Sequence, residues 1–236
     1  MIVDGGRGVS LDLVGKRFVA SYSGGKDSLL AVYRAVNAGL KPLGLITTHN
    51  ADENRSWFHG MNTDVLYRVS ESLGIPLTLV NTTGAKYEED FEKALSEAKR
   101  TGAEVCVFGD IDIEGHLRWC SERCLNTGLI PYFPLLREDR KKVIFEFLDA
   151  GFSAVIKTVD TSRMPGRFIG KLLSREVALE IEKCGADVCG ENGEYHSFVF
   201  DGPMFSQRVL YTAASVAMGR YVHLNIALKE NQATQM

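Results

Sequence analysis

SYSGGKDSLLAVYRAV, residues 21–36, passes from the end of an apolar, strand-like segment through two glycines and a lysine straight into a helical pattern. Upstream, RFVASY at 17–22 reads as a short buried strand. Downstream, DSLLAVYRAVNAG places Leu29, Leu30, Tyr33 and Val36 on one side of a helix that Gly39 ends. A strand that turns through a few small residues into a helix is the start of a βαβ unit, and the alternation continues outward. PLGLITTH (42–49) reads as strand, 60–73 as a helix closed by Gly74, IPLTLVNT (75–82) as strand and 87–101 as a helix closed by Gly102. EVCVFGD (104–110) is a further strand, EGHLRWCSERCLNTG (114–128) a helix and IPYFPL (130–135) a fifth extended piece. Five strands alternating with helices predict an α/β fold with a parallel sheet covered on both faces, because each right-handed crossover carries its helix over the sheet.

Beyond about residue 134 the rhythm changes. DRKKVIFEFLDAG (139–151) reads as a helix and SAVIKTVD (153–160) as a strand; a Gly/Pro/Arg-rich segment, TSRMPGRFIGK (161–171), and a helix near 174–184 follow. HSFVF, RVLYTAASVAM and RYVHLNIAL then read as strands without intervening helices, which predicts a smaller α+β lobe with antiparallel strands. The expected organisation is a first domain of residues 1–134 and a second of 135–236.

The 236 residues, 45% of them hydrophobic, are enough to bury a substantial core. A formal net charge of −3 with both signs mixed along the chain advertises no broad basic face, so no nucleic-acid partner is expected. No run approaches the roughly 18 apolar residues that span a bilayer, and the start MIVDGGRGVSLDLVGK lacks the layout of a signal peptide, so neither a membrane nor export is expected and the location read is cytoplasmic. An odd set of five cysteines argues for reduced thiols. Cys120 and Cys124, four apart in WCSERC, share a helical face, but without a second pair or a nearby His to complete a ligand set they read as packing.

In a parallel α/β sheet, ligands bind outside the carboxyl ends of the strands where the strand order reverses, so the first strand end is the place to look. There SGGKDS supplies small residues whose backbone N–H groups can close around an anion, followed by the positive end of a helix. Gly24 and Gly25 let the backbone approach phosphate oxygens, Lys26 adds a mobile positive charge, and the hydroxyls of Ser23 and Ser28 can donate hydrogen bonds. Asp27 can cap the helix or help hold Mg²⁺. A Walker loop does not fit, since VASYSG before Gly25-Lys26 offers no first glycine at the needed place, and GxGxxG is absent too. A tight turn without function is the competing reading of the hexapeptide alone.

SGGKDS resembles the PP-loop of the N-type ATP pyrophosphatases, enzymes that split ATP between its α and β phosphates. GDI at 109–111, GFSAVIKTVD at 151–160 and above all CGENGEYHSFVFDGPMF at 189–205 are similar to the diphthine–ammonia ligase family. The resemblance covers residues 17–205 and is specific through the combination of the loop with ENGEYHSFVFDGP. It implies a HUP-class fold, like that of the adenine nucleotide α-hydrolases, with a nucleotide-binding first domain and a substrate-binding second one. In that family ATP adenylates the carboxylate of diphthine, a modified histidine on translation elongation factor 2, and ammonia displaces AMP to leave an amide.

On that resemblance Ser23, Gly24, Gly25, Lys26, Asp27 and Ser28 form the pyrophosphate cradle, with ATP and Mg²⁺ as cofactors and Asp27 as the metal ligand. Gly109 and Asp110, at the end of the fourth strand, open onto the nucleotide side, where Asp110 can reach the metal or ribose phosphate or, in the plainer reading, cap the next helix. Glu191 and Glu194 are expected to bind and orient ammonium or take its proton; His196 can assist or be structural. Arg163 and Arg167 can attract an acidic substrate or sit solvated. Many relatives read EGGE where Asn192 stands second here, and Asn is expected to preserve the turn by tolerating positive φ. The change leaves the acceptor open between diphthine and another carboxylate. A homo-oligomer is compatible with the sequence. Two other readings compete: a PP-loop enzyme that modifies tRNA, against which the missing CxxC pairs and basic patch argue, and a non-catalytic adenine-nucleotide sensor.

Overall fold

A computed structural model of the protein describes residues 3–4, 11–50, 55–56 and 60–229. Its first sheet comprises β1 (Val3–Asp4), β2 (Arg17–Ser21), β3 (Lys41–Asn50), β4 (Arg55–Ser56), β5 (Leu77–Thr82), β6 (Val105–Val107) and β7 (Ile130–Phe133). Helices α1 (Lys26–Asn37), α2 (Thr63–Leu73), α3 (Tyr87–Arg100) and α4 (Glu114–Thr127) lie between them. The parallel order is β5-β3-β2-β6-β7, so the five expected strands are all present; β1 extends the β7 edge in parallel and β4 pairs antiparallel with the end of β3. β2 is central, and Phe18, Val19 and Ala20 are accordingly buried in succession, as a strand covered on both faces requires. From β2 the chain moves one way to β3 and β5 and the other way to β6 and β7. The reversal of direction therefore falls between β2 and β6, and their carboxyl ends frame the ligand crevice expected of such a sheet.

The second part carries α5 (Arg140–Asp149), β8 (Ser153–Asp160), α6 (Arg175–Lys183), β9 (Tyr195–Asp201), β10 (Tyr211–Met218) and β11 (Tyr221–Leu228). The four strands form an antiparallel sheet in the order β10-β11-β8-β9, as the run of strands without helices predicted. Both helices start on side-chain caps that satisfy first-turn amides: Asp139 accepts from the Lys142 N–H and Ser174 from the Val177 N–H.

One apolar cluster runs from Leu29 on α1 and Leu66 on α2 through to Val155 on β8 and Phe198 on β9, so the two sheets share a core across α1. Another, with Val19, Ile46, Phe91, Cys106 and Phe133, fills the opposite face of the first sheet under α3 and α4. α1 lies between the first sheet and the second part of the chain, which explains why Leu29, Leu30, Ala31 and Val32 are all fully buried rather than confined to one stripe. The cysteines are free thiols, and Cys106, Cys120 and Cys124 belong to the second cluster as packing residues. Among the described residues no helix is long and apolar enough to cross a membrane.

Candidate active site

The SGGKDS loop leaves β2 and bends at Gly24, whose φ of 85° lies where a β-carbon is disfavoured. α1 then begins at Lys26 on the N-cap Gly25 with no side-chain cap, so Asp27 stands in the first helical turn and does not act as its cap. Ser23 Oγ and Ser28 Oγ are 3.2 Å apart across the bend, and Ser28 Oγ also donates to the Gly25 carbonyl at 3.0 Å. From the neighbouring strand, Gly109 presses against this helix start. A β-carbon there would lie 2.6 Å from the Ser28 nitrogen and 2.7 Å from the Asp27 carbonyl carbon, so glycine is what allows β6 to end beside the loop.

The second sheet closes the loop from the other side. The Val199 N–H on β9 donates to the Gly24 carbonyl at 3.1 Å, and the Lys26 N–H donates to Ser197 Oγ at 3.1 Å. Lys26 is only 3% exposed, unlike the mobile loop cation that the sequence suggested. Its ammonium donates to Asp27 Oδ2 at 2.7 Å and to the Cys189 carbonyl, and sits 5.2 Å from the centre of the Tyr195 ring. Burial alone would lower its pKa; Asp27, with Tyr195, Cys189 and Glu191, outweighs that and holds it well above the ordinary value.

The turn from Cys189 to Glu194 is held by partners from two other segments. Gly190 (φ 71°) and Gly193 (φ 86°) carry its positive φ angles, whereas Asn192 does not take one. The turn thus survives the Gly-to-Asn difference from many relatives for another reason than the one expected. Asn192 instead donates its backbone N–H to Glu194 Oε2 at 3.1 Å and its side-chain amide to Oε1 at 3.2 Å. Asp187 accepts from the N–H groups of Cys189 (3.1 Å) and Glu191 (2.8 Å), and Arg140 at the start of α5 donates to Asp187 at 2.7 Å and to Asp112 at 2.5 and 2.9 Å. Arg140 thereby joins the turn to the segment that follows Asp110.

A single cavity of about 930 Å³ results, near the upper end of the range for small-molecule sites. Of the residues picked out from the sequence, Ser23, Lys26, Asp27, Ser28, Gly109, Asp110, Glu191, His196 and Arg163 line it. Gly24 and Gly25 shape the loop behind that wall, while Glu194 is 6% exposed and turned into its own loop. Arg167 lies elsewhere, its guanidinium 4.9 Å from the Phe168 ring centre and 3.4 Å from Cys184 Sγ. Asp110 does not cap α4, whose N-cap is Ile113, and its carboxylate lies 3.5 Å from His116 Nδ1. That contact raises the His116 pKa. Tyr87, His116 and Trp119 also line the cavity and went unnoticed in the sequence, where nothing but the fold brings them to the loop.

Electrostatically the cavity concentrates carboxylates. Burial, then the nearby Asp27 and Asp110 charges, push Glu191 up to about 8 against the pull of Lys26 and Arg140. Asp27 Oδ1 is buried and has no hydrogen-bond partner, an acceptor suited to a cation. Among the described residues no three His, Cys, Asp or Glu side chains converge as a ready-made metal site.

Residues 16–131 match the diphthamide synthase N-terminal domain and residues 139–224 the diphthamide synthase C-terminal domain. The chain belongs to the diphthamide synthase family. Those two matches correspond to the parallel sheet and to the antiparallel part that closes on it. A diphthine–ammonia ligase of Danio rerio is 25% identical over 227 residues, covering 86% of this chain and 89% of that protein. The diphthine–ammonia ligase of Homo sapiens is 24% identical over 229 residues, covering 86% and 85%. A tRNA-specific 2-thiouridylase of Halorhodospira halophila is 36% identical over 86 residues, 36% of this chain and 22% of that protein. The family match thus extends over both halves of the molecule.

Proposed function

We propose that this chain is an ATP-dependent carboxylate–ammonia ligase, amidating diphthine on elongation factor 2 or a related carboxylate in the cytoplasm. The observation that carries the reading is that the SGGKDS loop, Gly109–Asp110 and Glu191 line one cavity at the switch point of the sheet, although they are distant in sequence. Residues 1–134 then bind the nucleotide and 135–236 contribute the substrate side. An acceptor carboxylate oxygen attacks the α-phosphorus of ATP, the bond from that phosphorus to the bridging oxygen breaks, and pyrophosphate leaves with the electron pair. The start of α1, its loop amides and Lys26 stabilise that leaving charge. Ammonia then attacks the acyl carbon, the carbon–oxygen bond to AMP breaks, and Glu191 takes the proton released from nitrogen. Burial and the Asp27 and Asp110 charges raise its pKa, which makes its carboxylate a stronger base than an ordinary glutamate. Glu194 contributes by bracing the turn rather than by touching substrate.

Mg²⁺ fits this donor set: Asp27 Oδ1 would hold it, Asp110 lines the same cavity, and when bound the ion would neutralise phosphate charge.

The test is release of AMP and pyrophosphate from MgATP plus ammonium, with and without elongation factor 2 bearing diphthine. Acceptor-dependent AMP release with an amide on the factor is expected. AMP release that ignores the factor would redirect the search to another carboxylate, and ATP binding without cleavage would replace the ligase with a nucleotide sensor.

A further inference from the structure

Beside the loop and the Glu191 turn, the cavity wall also carries His196 on β9 and Arg163 just after β8. Thr158 on β8 stands directly opposite His196 on β9 and His223 on β11, so the three share one face of the second sheet. Thr158 Oγ1 and His223 Nδ1 are 3.0 Å apart. Burial, with the charges of Lys26 and Lys157 and the nearby His223, lowers the His196 pKa to about 4, so His196 is neutral at physiological pH.

Arg163 lines the same cavity as His196. Its anchor is Asp160, the last residue of β8, which is 1% exposed. Asp160 Oδ1 accepts from the Ser162 N–H at 3.0 Å and its hydroxyl at 2.6 Å, and the Arg163 N–H donates to the Asp160 carbonyl at 3.0 Å. Asp160 Oδ2 lies 3.6 Å from Arg163 Nε and 3.3 Å from Arg220 Nε. A buried carboxylate thus fixes both the backbone turn and the near side of the guanidinium. That guanidinium carries further donors beyond the Nε that faces Asp160, and Arg163 lines the cavity.

Among the substrates of the proposed reaction, the phosphates have the loop and Lys26, and ammonium would be repelled by an arginine. The remaining anion is the acceptor. Resting on the ligase reading, we propose that Arg163, positioned by Asp160 on the cavity wall that His196 also lines, forms the acceptor subsite and binds the carboxylate that is to be adenylated. The forked, always-charged guanidinium suits a planar carboxylate, and the neutral imidazole of His196 adds no charge of its own to the same wall.

Arg163→Gln keeps the length and removes the charge. Arg163 is about half exposed, and the buried Asp160 keeps Arg220 and Ser162 as partners, so the variant is expected to fold and to melt only slightly below the wild type. With elongation factor 2 bearing diphthine as the acceptor, KM for the factor should rise about tenfold while KM for ATP stays unchanged, the size expected for losing a charged hydrogen bond in a partly solvated site. Arg163→Lys should recover part of that loss, and Asp160→Asn should raise the same KM less than Arg163→Gln. A rise in KM for ATP, or no change in either constant, overturns the assignment. Wild-type protein that forms no amide on the factor fails the ligase reading itself, and the subsite falls with it; that failure is seen before any variant is made.

Discussion

The SGGKDS loop and the Cys189–Glu194 turn face each other across the cavity, yet they are held in opposite ways. The loop is made by neighbours in sequence: a strand end, a glycine at positive φ and the start of a helix. The turn also needs distant partners, with Arg140 bracing it through the neighbouring Asp187 and the Lys26 ammonium gripping the Cys189 carbonyl. Local geometry can present an anion cradle by itself, whereas placing a carboxylate with a raised pKa requires a structure around it that withstands repulsion between like charges.

Lys26 is the one residue that belongs to both, so Lys26→Ala should show the largest effect. Pyrophosphate release should fall on the order of 10³-fold, and because Asp27 and the Cys189 carbonyl lose a buried partner, unfolding should become easier by about 3–5 kcal/mol. An assay paired with chemical denaturation checks both; loss of activity at unchanged stability would mean that the lysine serves the loop alone.

Glu191→Gln should separate the regions. ATP binding, followed by calorimetry, stays intact while amide formation slows about 10²-fold. The stability sign is distinctive. A carboxyl raised to about 8 in the fold favours the protonated protein, so its contribution is full below the unfolded pKa and is lost as pH rises through 8. The Gln variant should therefore melt above the wild type at pH 9 in nucleotide-free, chelator-treated protein, and a variant that melts lower there would contradict the burial of the charge.

His196 behaves in the opposite direction. Its pKa of about 4 in the fold, below the unfolded value, means that stability is full above about pH 6.5 and falls as pH drops towards 4, by up to about 3 kcal/mol. Denaturation at pH 7 and pH 4.5 measures this, and His196→Gln should flatten the difference. The smallest effect is expected for Arg140→Ala, which frees the turn but not the loop: about 2 kcal/mol of stability, with amide formation slowed more than pyrophosphate release. Equal slowing of both would dissolve the distinction between the two regions.

Most of the fold was legible. Alternating apolar runs and terminating glycines such as Gly74, which does adopt the left-handed conformation at φ 65°, report local backbone preference and marked the five parallel strands and their helices. The short β1 and β4 at the sheet edges were invisible because two residues carry no period. The two glutamates of ENGE looked equivalent and are not. Glu191 faces the cavity and Glu194 turns inward, a difference set by Asp187, Asn192 and Arg140 rather than by spacing.

By itself, then, the sequence determined the parallel sheet, the antiparallel addition and the anion-binding loop, since these follow from periodicity and from glycine placed at a strand–helix junction. Tertiary structure alone decided that Lys26 is buried and tied to Cys189, that Tyr87 and Trp119 join the wall, and that Arg163 rather than Arg167 reaches the cavity. The physical reason is that burial, pairing and charge repulsion depend on which distant residues meet, and those meetings are fixed by the order of strands and the shared core.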